Sequence, residues 1–247
     1  VFTEQAFQDH PELFDNVGPE KAEKITRFFR SLSLPTDQVT DIWNHEYRVY
    51  SNYALQGGPE VAEYMRMMYD TKLKQLDQRL GQLLNYLTEP EMSKKTIVVI
   101  TSDHGEGFAE HGNFSHEESL YNELIHVPLI ISVPKLVSRR VEEITQNIDI
   151  LPTLMEIVGV EIPVQAQGQS LWPLMNVKSM GGGGVRYAVS EKGPSAASIQ
   201  DKRFKLILPE YPNPFLAELY DLISDPGEIS NLAKSQPERV GELVLQL

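Results

Sequence analysis

Cysteine is absent from the 247 residues, so this chain contributes no disulfide, no thiolate metal site and no cysteine nucleophile. Long apolar runs are missing too: no stretch approaches the roughly 18 residues that cross a bilayer. Positive charge is scarce. Lys and Arg number 22 against 35 Asp and Glu, a net charge of -13, which is the wrong sign for nonspecific nucleic-acid binding. An anionic substrate would need local positive charge here, such as a metal ion. No internal repeat is present. What remains, 41% hydrophobic and 23% charged residues, is ordinary for a globular protein. The length suits one large α/β domain, or one with a smaller appendage.

The informative stretch is Thr96 to His116, TIVVITSDHGEGFAEHGNFSH. Ile97-Val98-Val99-Ile100 reads as a buried strand of β-branched residues. It stops at Thr101-Ser102-Asp103-His104-Gly105, where polar and turn-forming residues take over. In open α/β sheets ligands sit beyond the carboxyl ends of strands, and carboxylate and imidazole both bind divalent metals. His111 and His116 follow, so three of the six histidines fall in thirteen residues. The plainer alternative makes Asp103 a helix cap and His104 a hydrogen-bonded loop residue. By spacing alone, the Asp-His pair suits zinc or manganese as well as calcium.

Elsewhere the signals are structural. Residues 1–58 carry scattered aromatics, a candidate helix at Pro19–Leu32, and His10 and His45 without neighbouring ligand patterns. Pro59 and Glu60 open a helix expected to run to about Thr88 and to stop at Pro90. Tyr69, Leu73, Leu76, Leu80, Leu83 and Leu87 form its apolar stripe, expected to bury one face along a sheet; a coiled coil is the runner-up. Asp77 on that helix reads as structural. Val127–Val133 reads as a second buried strand. Asn147 to Gly159 reads as a short helix with Asp149 as a cap. Gly181–Gly184 reads as a loop between subdomains. Beyond it, Arg186 to Leu208 predicts a small antiparallel sheet, and Pro237–Leu247 a covering helix.

SDHGEGFAEHGNFSHEESLYNELIHVPLII resembles the metal-binding segment of the sulfatases in the alkaline phosphatase superfamily. YDTKLKQLDQRLGQLLNYL is similar to the helix that precedes that segment in the family. NIDILPTL, GQSLWPLM and the pattern LYDLxxDPxExxNL from Leu219 to Leu232 are similar to later family segments. The likeness covers the chain from about Met68 to its end. It implies an α/β fold, part of an alkaline phosphatase-like sandwich with a mostly parallel sheet, over residues 1–180. A small carboxy-terminal antiparallel-sheet subdomain with a helix is expected over 181–247. It also implies that Asp103 and His104 are metal ligands, with calcium as the ion. His116 stands where many sulfatase-like sequences carry Lys, which implies a contact to the ester oxygens. Of the two residue types only histidine titrates near neutrality, so His116 is also the candidate acid for the leaving alcohol. His111, in the EHG turn, is the lesser substrate-binding candidate and reads more as loop support. His126 is left outside the site.

The family's nucleophile is a formylglycine made from Cys or Ser, held with two acidic ligands near the amino terminus. Neither a CxPSR-like nor an SxPSR-like motif occurs here. The chain is therefore expected to be the carboxy-terminal part of a sulfuric ester hydrolase, inactive alone. Its partners would be the amino-terminal part of the same protein and a sulfate ester, small molecule or glycan. Two alternatives stay open. One is a phosphonate or phosphate ester hydrolase, or a phosphoglycerol transferase of the same superfamily, using zinc, manganese or magnesium. The other is a noncatalytic domain that binds metal or a partner.

Overall fold

The structure is a computed structural model that describes residues 59–247 apart from 113, 117–118, 177–185 and 193–195. The expected helix at Pro19–Leu32, His10, His45 and the Gly181–Gly184 loop lie outside the described residues. In chain order the main elements are α1 (Pro59–Leu87), β1 (Val98–Thr101), β2 (Gly107–Phe108), β3 (Phe114–Ser115), β4 (Leu129–Ser132) and α2 (Ile150–Val158). β5 (Ala188–Lys192), β6 (Ala196–Gln200), β7 (Phe204–Leu208), β8 (Glu218–Asp221) and α3 (Pro237–Val244) complete the chain. The described residues divide into two compact units, 59–97 with 102–118, and 98–101 with 119–247.

In the first unit, α1 begins at Pro59, whose fixed φ suits the first helical turn. It ends at Leu87, just before Pro90 opens the one-turn helix Pro90–Ser93. β2 and β3 pair antiparallel, Gly107 with Ser115 and Phe108 with Phe114. The turn between them uses left-handed backbone at Ala109 (φ 73°) and Gly112 (φ 75°). Only glycine takes that conformation without a Cβ penalty. The start of α1 packs on this hairpin, with Val61, Ala62 and Met65 against Phe108, Ala109 and Phe114. Tyr69 meets the Phe108 ring edge-on, 5.3 Å between centroids. The rest of the α1 stripe corrects the expectation of a buried face. Leu73, Leu76 and Leu83 are 52% to 58% exposed, because the contacts of α1 with the β2–β3 hairpin lie in its first three turns.

In the second unit, β1 pairs with β4 antiparallel, Val98 with Ser132 through Thr101 with Leu129. The parallel pairing expected of this part of the sheet is thus not seen between these two strands. A parallel return needs a crossover connection, usually a helix. Here the intervening residues hold the candidate site loop and the single turn Asn122–Ile125. Both strands are half-buried rather than buried, and Ile130 on β4 is exposed. α2 ends at Gly159 in the left-handed conformation (φ 74°), a common helix stop.

β5 to β8 form an antiparallel meander in that order; the alternating segments between Arg186 and Leu208 predict β5, β6 and β7, and β8 joins them from beyond that stretch. Strand periodicity sorts β7 onto two faces. Leu206 and Leu208 join Ile199, Leu219 and the α3 residues Val240 and Leu243 in one core. Ile207 turns the other way and packs with Leu120 and Tyr220. The α3 seam rests on Leu243, which is fully buried.

Candidate active site

The chain leaves β1 at Thr101 and turns at once into Ser102-Asp103-His104-Gly105. The Ser102 hydroxyl donates to the His104 carbonyl (2.7 Å), closing the turn. Asp103 Oδ1 accepts the His104 backbone N–H at 3.0 Å. That bond, more than any other influence, holds the Asp103 carboxyl below its ordinary value, so the group is anionic at neutral pH. The His104 ring is fixed from its other side, since Nδ1 lies 2.8 Å from the Gly105 carbonyl. A carbonyl can only accept, so Nδ1 is the donor in this contact and Nε2 is the ring nitrogen left facing Asp103. Nε2 and Asp103 Oδ2 lie 3.7 Å apart.

These features fit a divalent cation. A metal-binding histidine commonly donates its second ring N–H to a backbone carbonyl, which sets its tautomer. An oxygen-preferring cation with bonds of about 2.3 to 2.6 Å holds donors at right angles roughly 3.3 to 3.7 Å apart. The Asp103 side chain is 86% exposed and His104 43%, so both donors are accessible. Among the described residues, no group of three or more His, Asp or Glu side chains converges as a metal cage. Among the described residues, no third side chain of these types thus joins Asp103 and His104 in such a cage.

His116 joins this pair. Its ring stacks on His104, with centroids 4.1 Å apart and 19° between planes. The β2–β3 hairpin brings them together, since His116 directly follows β3. His116 Nδ1 also lies 3.4 Å from Glu106 Oε2. The two side chains are 27% and 15% exposed, respectively. Glu106 was legible in the sequence only as a letter of DHGE, with nothing to say which way it turns. His111 is half-buried in the turn at Ala109–Gly112. His126 ends the one-turn helix Asn122–Ile125.

The hairpin is held to α1 by charge as well as by its phenylalanines. Glu110 accepts the Phe108 N–H through Oε2 (2.5 Å) and meets Arg66 of α1 through Oε1 (2.5 Å). The Arg66 guanidinium also lies over the Phe108 ring, 5.5 Å from its centroid.

The later motifs are structural. Asp149, fully buried, accepts from the N–H groups of Gln146 and Gln169 and pairs with Arg186 (2.6 Å). Its side chain does not cap α2, which corrects the sequence expectation: Asp149 is the third residue of the turn Asn147–Asp149, reaches back to the Gln146 N–H, and serves as a junction. In LYDLxxDPxExxNL, Asp225 accepts the N–H groups of Ile229 and Ser230, and Asn231 those of Leu219 and Ala233. Glu228 pairs with Lys205 (2.7 Å), both fully buried, and accepts the Asn122 N–H (2.7 Å). Burial pulls the Lys205 ammonium below its ordinary value, against the opposing pull of Glu228.

The site is of the class in which an Asp-His pair sits in a tight turn after a strand with a second histidine stacked on it. The comparisons give the class a family. Residues 4–160 match the family model Sulfatase, and residues 109–246 match that of N-sulphoglucosamine sulphohydrolase, C-terminal. The chain belongs to the sulfatase family. It is 29% identical over 215 residues to arylsulfatase K of Xenopus laevis, covering 81% of this chain and 40% of that protein. It is 32% identical over 246 residues to N-acetylglucosamine-6-O-sulfatase of Bacteroides thetaiotaomicron, covering 87% of this chain and 43% of that protein. A structure solved in complex with its substrate D-glucosamine-2-N,6-O-disulfate superposes with a TM-score of 0.62 at 28% identity. That match covers 87% of this chain and 47% of the other. The chain thus spans less than half the length of these relatives.

Proposed function

We propose that this chain forms part of the active site of a metal-dependent sulfuric ester hydrolase, with Asp103 and His104 as metal ligands and His116 at the leaving group. The observation that carries the reading is the Asp103–His104 pair, one carboxylate oxygen and one ring nitrogen 3.7 Å apart, with the remaining polar atoms of both residues engaged by backbone. A calcium ion takes six to eight oxygen-rich ligands, so the other donors come from outside the described residues. The amino-terminal part of the same protein is their source in this reading, as it is for the nucleophile. When bound, the cation supplies positive charge against the sulfate oxygens. Asp103 and His104 hold and orient that charge. His116 hydrogen-bonds the bridging ester oxygen and gives its proton to the departing alcohol. His111 supports the turn from which His116 is presented and is the secondary substrate contact.

The relatives favour a sulfated amino sugar within a glycan as the substrate. N-acetylglucosamine-6-O-sulfatase and the disulfated glucosamine complex point the same way. The test uses the full-length protein, with its metal content measured and its turnover compared on sulfated glucosamine, a chromogenic aryl sulfate and a phosphonate monoester. Calcium retention and sulfate release, both lost in Asp103→Ala and His104→Ala, are the expected results. Faster phosphonate turnover with zinc or manganese would move the protein to the phospho-transfer branch. A variant pair that kept both metal and activity would remove the proposed site.

A further inference from the structure

We propose that Glu106 is a positioning residue for His116, an assignment that rests on the sulfatase reading of the site and extends it. Three observations meet at this residue. Its carboxylate lies 3.4 Å from His116 Nδ1, long for a hydrogen bond and inside ion-pair range. Its side chain is only 15% exposed and His116 27%, so the contact is screened less by solvent than a surface pair. The opposite constraint on the same ring is the His104 stack at 4.1 Å. A plane fixed by stacking still leaves rotation within that plane. An anchor at one ring nitrogen removes that freedom.

The chemistry follows from which nitrogen is anchored. A carboxylate only accepts, so Glu106 favours the proton on Nδ1. Proton exchange with an ester oxygen is then directed to Nε2, the other end of the ring. Glu106 itself touches no reacting atom in this scheme. Its place two residues after His104, at the start of the hairpin, and ten residues before His116 (116 minus 106) ties the two histidines' loops together.

The experiment is carried out on the full-length protein, selectively 15N-labelled at histidine, with Glu106→Ala, Glu106→Gln and His116→Ala. The nitrogen shifts of neutral His116 report its tautomer without reference to activity. Nδ1–H is expected in the parent protein and in Glu106→Gln, whose amide oxygen still accepts, and is expected to be lost in Glu106→Ala. For a poor leaving group, Glu106→Ala is expected to lower kcat roughly 10- to 100-fold. Metal content should stay unchanged, and there should be no further loss when Glu106→Ala is added to His116→Ala. An unchanged tautomer in Glu106→Ala overturns the proposal even if the protein is an active sulfatase. So does an undiminished effect of Glu106→Ala in the His116→Ala background. If no sulfate ester is turned over at all, the tautomer measurement still decides the role of Glu106, and only the sulfatase reading fails.

Discussion

The imidazoles of His104 and His116 stack face to face, with 4.1 Å between centroids and 19° between planes. One ring belongs to the proposed metal pair and the other to the proposed leaving-group contact, so each substitution must be read for its effect on the other. Removing His116 takes away a proton donor, typically worth about 10² to 10⁴ in rate. That loss should fall on esters of poor leaving alcohols and spare good ones, while metal content is retained. His111→Ala should depress both classes by the same small factor. If His116→Ala weakened metal binding and slowed both substrate classes equally, His116 would be packing for His104 and nothing more.

Asp103→Asn tests the other half of the site. The substitution keeps size and shape and removes the charge that the His104 N–H stabilises. Losing a direct ligand should cost more metal affinity than the roughly 10- to 100-fold typical of losing an outer partner. The chain by itself should bind calcium weakly, because two donors leave most of a calcium shell to water. Tight, Asp103-dependent binding by the isolated chain in calorimetry would show that the site is complete without other ligands.

Local chemistry was legible in the sequence where one segment carries it all. Ile97 to His104 announces a strand followed by a polar turn, and the Pro59 and Pro90 limits of α1 follow from proline's restrictions alone. Long-range partners were not. Nothing in the spacing says that Glu106 faces His116, that Arg66 closes on Glu110, or that Lys205 is neutralised by Glu228. These pairs depend on tertiary approach, and a charged residue on a strand reads as exposed until its cover is known. The apolar stripe of α1 shows the converse limit. Periodicity identifies a face that can be buried, while burial itself depends on a packing partner.

Tyr121 and Tyr220 give a pH signature of the second unit. Both hydroxyls donate to Glu218 Oε2, at 2.7 and 2.9 Å. Burial, then the Glu218 carboxylate, pushes the Tyr121 phenol up to about 12 and shifts Tyr220 in the same direction. An unfolded tyrosine ionises near 10, so above about pH 10 the native state holds protons that the unfolded chain has released. Stability contributed by Tyr121 is fully present below that pH and is lost as pH rises through about 12, with Tyr220 acting in the same direction. Urea unfolding followed at intervals from neutral to alkaline pH should show this decline, and Tyr121→Phe should flatten it. An identical alkaline decline in the variant would assign the effect to other groups.

Gly168 tests whether the Asp149 junction has the tight geometry described here. Asp149 Oδ1 accepts the Gln169 N–H at 2.7 Å. The buried Thr153 hydroxyl accepts the Leu171 N–H at 2.7 Å and donates to the Asp149 carbonyl at 2.6 Å. Residues 168–171 are thereby drawn against the start of α2. Drawn in this far, position 168 has no room for a side chain, because a Cβ there would stand 2.0 Å from the Ile148 carbonyl oxygen and 2.5 Å from its carbon. Both atoms are backbone and cannot swing aside as a flexible side chain would. Gly168→Ala must therefore push the segment out and stretch the Gln169 bond to a buried carboxylate. Overpacking plus a weakened charged hydrogen bond should cost about 2 to 5 kcal/mol. Gly241, within α3, supplies the control, since a Cβ there meets nothing within 4 Å. Gly241→Ala should stabilise by about 0.5 to 1 kcal/mol through helix propensity. Urea denaturation of both variants checks the pair, and a Gly168→Ala chain as stable as the parent would mean that residues 168–171 do not lie against Ile148.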